Sequence, residues 1–260
     1  MSANAETIQG NPGATVSKPV KHPWRTLSIQ LVAIVAATVA LLAWIFTADL
    51  TETERTTLSP DALLTYTREH LSLTAVAAVI VLVIAIPLGI LLTRPAMRRF
   101  TNPVMAVANI GQAAPAVGLI VLLAFWLGFG YWAAIASLVV YAILPVLTNT
   151  MVGLKQVDDR LVEAGRGMGM SSASVLFRVE LPLAVPVMLS GVRTALVLLV
   201  GTATLAAFIN GGGLGILIIT GVNLGLTVVL VCGSLLVALL ALFVDWLGRA
   251  FEQLARPKGL

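Results

Sequence analysis

The sequence predicts an all-α integral membrane protein with about six transmembrane helices. Three observations predict it: the composition, the length of the apolar runs, and the alternation of basic residues between loops. Of 260 residues, 58% are hydrophobic and 11% charged, where a soluble globular domain carries roughly a quarter charged residues. Mean hydropathy is +0.99. Cys232 is the only cysteine and lies in an apolar run, which excludes disulfides and argues against redox chemistry. A net charge of +4 would point to nucleic acid or acidic partners in a soluble chain. Here its placement says more than its sum.

Runs of about 20 apolar residues, enough for a helix to cross a bilayer, occur at 27–48, 71–93, 131–151, 183–208 and 224–247. A further span starts weakly near Pro103 and runs to about residue 128. Residues 214–221 are apolar but too short to cross, so they re-enter the membrane or lie at its surface. The first run is too long for a signal-peptide core and has no convincing cleavage site behind it, so it reads as a retained anchor. The expected organisation is a disordered polar tail over 1–26, a transmembrane domain over 27–248, and a short tail over 249–260.

Basic residues favour the cytoplasmic side of a membrane. Lys18, Lys21 and Arg25 precede the first run, Arg94, Arg98 and Arg99 follow the second, and Lys155, Arg160, Arg166 and Arg178 lie between the fourth and fifth. Arg249, Arg256 and Lys258 follow the last. The alternate loops hold only Arg55 and Arg68, so thirteen basic residues separate from two, with Arg193 left inside a span. Both termini and the loop 155–182 are therefore expected in the cytoplasm. This sidedness accounts for the positive charge without nucleic acid.

No catalytic constellation is present. His22 and His70 fall in separate polar segments on opposite sides, which argues against a shared metal site. The glycine-dense stretch Gly211-Gly212-Gly213-Leu214-Gly215 lacks the lysine of a phosphate-cradling loop. The chain is thus expected to be neither an enzyme nor a nucleotide binder, and to carry no cofactor. ATP, if it drives this protein, is bound by another chain.

The polar loop 155–182 is the exception to the apolar pattern. Residues 157–168 suit a short helix with Asp158 and Asp159 near its positive N-terminal end. Gly169 can end it in the left-handed conformation. Ser171 or Ser172 can cap a second helix through residues 174–179, and Leu181-Pro182 is expected to stop that helix. The residues Glu163-Ala164-Gly165, then Gly169, then Val179-Glu180-Leu181-Pro182 resemble the signature loop of binding-protein-dependent ABC importer permeases. That signature reads Glu-Ala-Ala, three residues, Gly, nine residues, Ile-x-Leu-Pro. Gly165 replaces its second alanine and Val179 its isoleucine, with every spacing kept.

The likeness extends over residues 131–221 and looks like the osmoprotectant subfamily. It is carried by Tyr141-Ala142-Ile143-Leu144-Pro145, Asn149-Thr150, Gly191-Val192-Arg193-Thr194-Ala195, Gly201-Thr202-Ala203-Thr204 and Gly212-Gly213-Leu214-Gly215. Two departures are Thr148, where relatives carry an arginine, and the stretch 111–118, which lacks their Ile-Pro-Ser. The resemblance implies a type I ABC importer permease fold. It implies ATPase coupling through Glu163, Ala164, Gly165, Gly169, Leu181 and Pro182. It also implies ABC ATPase subunits, an extracytoplasmic solute-binding protein and a second permease copy or paralogue as partners. The solutes it implies are glycine betaine, choline, carnitine or similar compounds. An importer permease for an amino acid or a thiol-betaine is the near alternative. An ion-coupled secondary carrier is the distant one, since such carriers use inverted repeats and intramembrane acids.

Candidate pathway or gate residues are Asn149, Arg193 and Asn210. Arg193 is a functional candidate because charge inside a span is costly unless it faces protein or water. Two readings stand open for it: a partner among helix-end carbonyls, Asn149 or Asp245, or snorkelling to the interface. Tyr131, Trp126 and Trp132 suit an aromatic belt at a membrane surface better than a cation cage.

Overall fold

A computed structural model describes residues 23–255, all-helical apart from turns and links. Helix α1 spans Pro23–Thr47, α2 Glu52–Thr57 and α3 Pro60–Thr93. A 3₁₀ turn at Arg98–Phe100 leads into α4 (Thr101–Ala113) and then α5 (Ala116–Leu127). Helix α6 covers Tyr131–Lys155, α7 Asp159–Gly167 and α8 Ser172–Val175. A π-helical turn at Leu176–Glu180 joins α8 to α9 (Leu181–Thr202), which a 3₁₀ helix continues over Ala203–Ile209. The chain ends with α10 (Gly215–Leu224) and α11 (Thr227–Ala255). Among the described residues, five helices are long and apolar enough to cross a membrane, and the bent pair α4–α5 adds a sixth span if counted as one.

Helix α6 is the axis of the bundle. It packs on α3, α9, α4 and α5 and buries Ala133, Ala134, Leu138, Ala142, Val146 and Leu147. Small residues matter here because lipid is as apolar as leucine, so helix association depends on close backbone approach. At Gly191 of α9 that approach to α6 is close: a Cβ there would stand 2.4 Å from Cβ of Asn149 and 2.7 Å from the Pro145 carbonyl oxygen. Helix α1 packs mainly on α11, with the Trp246 indole donating to the Leu27 carbonyl at 2.8 Å. The outward side of α1, including Ile29, Val32 and Val39, is exposed in the isolated chain, which suits a lipid-facing helix.

The third expected span is not a straight helix. Helices α4 and α5 are bent by 104° where Ala114 turns extended, at φ −61° and ψ 142°, ahead of Pro115. Proline crowds the preceding residue out of the helical region and brings no N–H of its own. Each arm alone, of 13 and 12 residues, reaches only about 20 Å, short of a bilayer core of roughly 30 Å.

The ends of other elements also differ from the sequence reading. Helix α1 starts at Pro23, so only residues 1–22 of the expected tail lie outside the described residues. Helix α3 begins eleven residues before the apolar run, at Pro60, because 60–70 is helix-compatible even though polar. The tail read from residue 249 onward continues α11 as far as Ala255. The apolar segment at 214–221 lies within α10, folded back against α11 and the 3₁₀ helix.

Candidate functional site

The loop 155–182 folds as two helical arms around a glycine turn. Asp158 caps α7, its Oδ1 accepting from the Arg160 N–H at 2.9 Å, and Asp159 lies in the first turn. Negative charge there offsets the unpaired N–H groups of the helix start. Gly169 is left-handed at φ 82°, and the Met170 N–H closes the turn onto the Gly165 carbonyl at 3.1 Å. Ser171 caps α8 by accepting from the Ser174 N–H at 3.3 Å. These positions agree with the local sequence signals.

Within this knob Gly165 is the buried residue of α7. A Cβ on it would lie 3.3 Å from Cγ2 of Val175 and 3.4 Å from Sδ of Met170. The two arms therefore touch at Gly165, and the small residue permits the contact. Glu163 and Ala164 are exposed. So are three large apolar side chains, Leu161, Met168 and Phe177, at 47%, 76% and 68%. A protruding polar segment that exposes apolar side chains has the make-up of a protein-contact surface.

Leu181-Pro182 does not stop the second arm, contrary to expectation. Leu181 donates its N–H to the Leu176 carbonyl, five residues back. This wide turn, with Pro182 in the first turn of α9, relieves the clash a proline ring makes with the carbonyl four residues before it. Leu181 is half-buried and Pro182 exposed, and both belong to one helical run from Ser172 to Ile209.

Sequence reasoning missed the partner of Glu180. This carboxylate is 6% exposed and meets the Arg94 guanidinium through two hydrogen bonds. Nη1 donates to Oε1 at 3.2 Å and Nη2 donates to Oε2. Opposite charges at the same-side ends of two spans were the available signal. In the sequence alone, Arg94 counts only toward the charge of its loop.

The three pathway candidates are not brought together. Asn149 donates from Nδ2 to the Pro145 carbonyl at 2.8 Å and packs against Gly191. Arg193 pairs with α11: Nε stands 3.8 Å from Asp245 Oδ1 and Nη1 3.4 Å from Glu252 Oε2. Asp245 also accepts from Arg249 Nε at 2.7 Å. Of the partners expected for Arg193, Asp245 is therefore present, and Glu252 is a further one that the sequence does not signal. Asn210 ends the 3₁₀ helix in the left-handed region at φ 59°, on the order of 25 Å of helix away from Arg193.

The opposite end of the bundle closes on the glycine stretch. Gly212 and Gly213 have φ of 85° and 91°, and the Gly213 N–H donates to Glu69 Oε2 at 2.8 Å. His70, fully buried, places Nε2 3.0 Å from the Val200 carbonyl. Ser72 Oγ and the Tyr131 hydroxyl are 2.7 Å apart. The Tyr131 and Trp132 rings meet edge to face at 5.4 Å, while Trp126 and Trp132 stand largely exposed.

Comparison with known proteins bears on the same segments. Residues 85–257 match the family described as "Binding-protein-dependent transport system inner membrane component". The chain is 39% identical over 198 residues to the glycine betaine/carnitine/choline transport system permease protein OpuCB of Bacillus subtilis, covering 76% of this chain and 90% of that one. It is 38% identical over 198 residues, with the same coverage, to the choline transport system permease protein OpuBB of that organism. It is 36% identical over 199 residues to the osmoprotectant import permease protein OsmW of Salmonella typhimurium, covering 75% and 92%. Among solved structures, the fold is similar to a chain of the MetNI methionine ABC transporter in an inward-facing conformation. The TM-score is 0.67 at 24% identity, covering 80% of this chain and 100% of that one.

Proposed function

The chain belongs to the family of binding-protein-dependent transport system inner membrane components, and from that premise we propose that it imports osmoprotectants such as glycine betaine, choline or carnitine. It is a multi-pass permease subunit and forms part of the translocation pathway. Residues 27–248 make the transmembrane domain, and both termini and the knob face the cytoplasm. The alternation of basic residues supports that orientation.

The observation that carries the reading is the knob of α7, Gly169 and α8. It is a folded protrusion with exposed Leu161, Met168 and Phe177, in a chain more than a third identical to osmoprotectant permeases over three quarters of its length. An ATPase subunit docks on it, with Glu163 and Ala164 at the contact. Gly165 and Gly169 shape the turn, and Leu181 and Pro182 pass its motion into α9. Two permease subunits, either two copies or this chain with a paralogue, enclose the pathway. A solute-binding protein delivers to the glycine-loop end. ATP binds to the partner ATPase, whose closure drives the two knobs together and opens the pathway outward; hydrolysis resets it. The permease itself holds no cofactor.

Uptake of radiolabelled glycine betaine, choline and carnitine in a strain lacking this gene and redundant importers tests the solute. Uptake of at least one should fall several-fold at high osmolarity and return with the gene. Unchanged uptake of all three alongside loss of an amino acid or thiol-betaine would overturn the solute class.

A further inference from the structure

Two junctions of the fold meet at one ion pair. Arg94 is the residue where α3 ends, extended at ψ 144° before Pro95. Its Nε points to the Ile90 carbonyl at 3.4 Å, which directs the guanidinium fork back toward the bundle. The Thr101 hydroxyl donates to the Leu92 carbonyl at 3.1 Å, so the start of α4 is tied to the same spot. Glu180 is the last residue of the π turn, where the knob passes into α9. The bidentate bond between them joins the exit of α3, the entry to α4 and the root of the knob.

An apolar cluster adjoins the pair on its bundle side. Ile86 and Ile90 of α3 pack with Leu176 and Leu181 from either side of the π turn and with Leu154, Ala184 and Met188. On the far side, α7 is seated on Val175 through Gly165. Contact therefore runs unbroken from the knob, through the π turn, to α3. A carboxylate as buried as Glu180 is strongly disfavoured without its partner, so this joint strongly favours the paired arrangement. Paired geometry of this kind also specifies orientation, because the planar fork accepts a carboxylate in one plane. Single π turns inside helices recur at functional sites.

We propose that Arg94 and Glu180 are positioning residues that carry displacement of the α7–α8 knob into α3 and α4, and so couple ATPase closure to movement of the pathway helices. The inference rests on the reading that an ATPase docks on the knob. Neither residue touches solute in this scheme; each acts through the helix it anchors.

The test uses the full chain with its ATPase and binding protein, reconstituted in liposomes, with activity expressed per assembled complex. Glu180→Gln should leave ATPase co-purification in place and lower maximal solute uptake at least tenfold. The solute concentration giving half-maximal uptake should stay unchanged. ATP hydrolysis should no longer rise when solute-loaded binding protein is added. Arg94→Lys, which keeps the charge and loses the fork, should fall between Glu180→Gln and the native chain. The double variant Arg94→Glu with Glu180→Arg should recover several-fold over either single change. Native uptake per complex in Glu180→Gln, or losses in all variants that track only the amount of inserted protein, would overturn the proposal. A native chain that recruits no ATPase would overturn the functional reading as well, so the two failures are told apart in different samples.

Discussion

The two ends of the bundle are held by different chemistry. At the knob end, the joint is an ion pair between side chains of α3 and the π turn, beside helical arms capped by their own neighbours. At the glycine-loop end, the contacts run from side chains to backbone: Glu69 takes the Gly213 N–H and His70 meets the Val200 carbonyl. A bidentate ion pair holds the two elements it joins in one relative orientation while leaving the backbone of each free of close contact. A glycine backbone packed on a buried histidine is held more closely: a Cβ at Gly213 would stand 3.1 Å from His70 Nδ1, tighter than ordinary contact, at a φ of 91° that side chains rarely adopt. Under the proposed function, the first end works as a lever and the second as a seal.

Gly169→Val is the change expected to break the lever most completely. Its φ of 82° suits glycine, and a left-handed residue with a Cβ costs about 1–2 kcal/mol, more when β-branched. Nothing lies within 4 Å of a Cβ there, so the penalty is one of backbone shape, not of packing. Solute uptake should fall at least tenfold while membrane insertion, followed by quantifying the protein in isolated membranes, stays normal. Native uptake by this variant would reduce the knob to a connector.

Glu69→Gln should weaken the seal by less. It keeps the shape and an acceptor oxygen but removes the charge from the bond to Gly213, a loss of about 1 kcal/mol. Thermal unfolding of the purified protein should shift down by a few degrees, and limited proteolysis around residue 211 should quicken, with uptake reduced about twofold or less. A tenfold loss of uptake without any change in proteolysis would mean that this end also transmits motion.

The smallest effect is expected at Arg193→Gln. Arg193 is about a quarter exposed and its guanidinium nitrogens stand 3.4 and 3.8 Å from the α11 carboxylates, so the ion pairing contributes under about 1 kcal/mol. Asp245 keeps Arg249 as a partner. The half-saturating solute concentration should stay within twofold of native. A shift of tenfold or more would place Arg193 in the pathway and add a third functional region to the comparison.

By itself the sequence determined the membrane class, the number of apolar runs and the local geometry of the knob. Each of these depends on residues within a few positions of one another: a run of twenty apolar side chains, Asp158 before its helix, Ser171 three residues from Ser174, glycine where φ turns positive. Tertiary structure decided what the prolines do and which charges meet. Pro115 follows an extended Ala114 and bends its span by 104°, whereas Pro182 follows a π turn and sits inside a continuous helix. No rule of neighbours separates Ala-Pro from Leu-Pro here. The second stays helical where the π turn widens the ladder ahead of it and Glu180 and Ala184 on either side are buried against the bundle. Likewise Arg94 finds Glu180 across 86 positions and Glu69 finds Gly213 across 144. Such pairings arise only when helix packing brings distant turns within the 3 Å reach of a hydrogen bond, and nothing local in the chain encodes that distance.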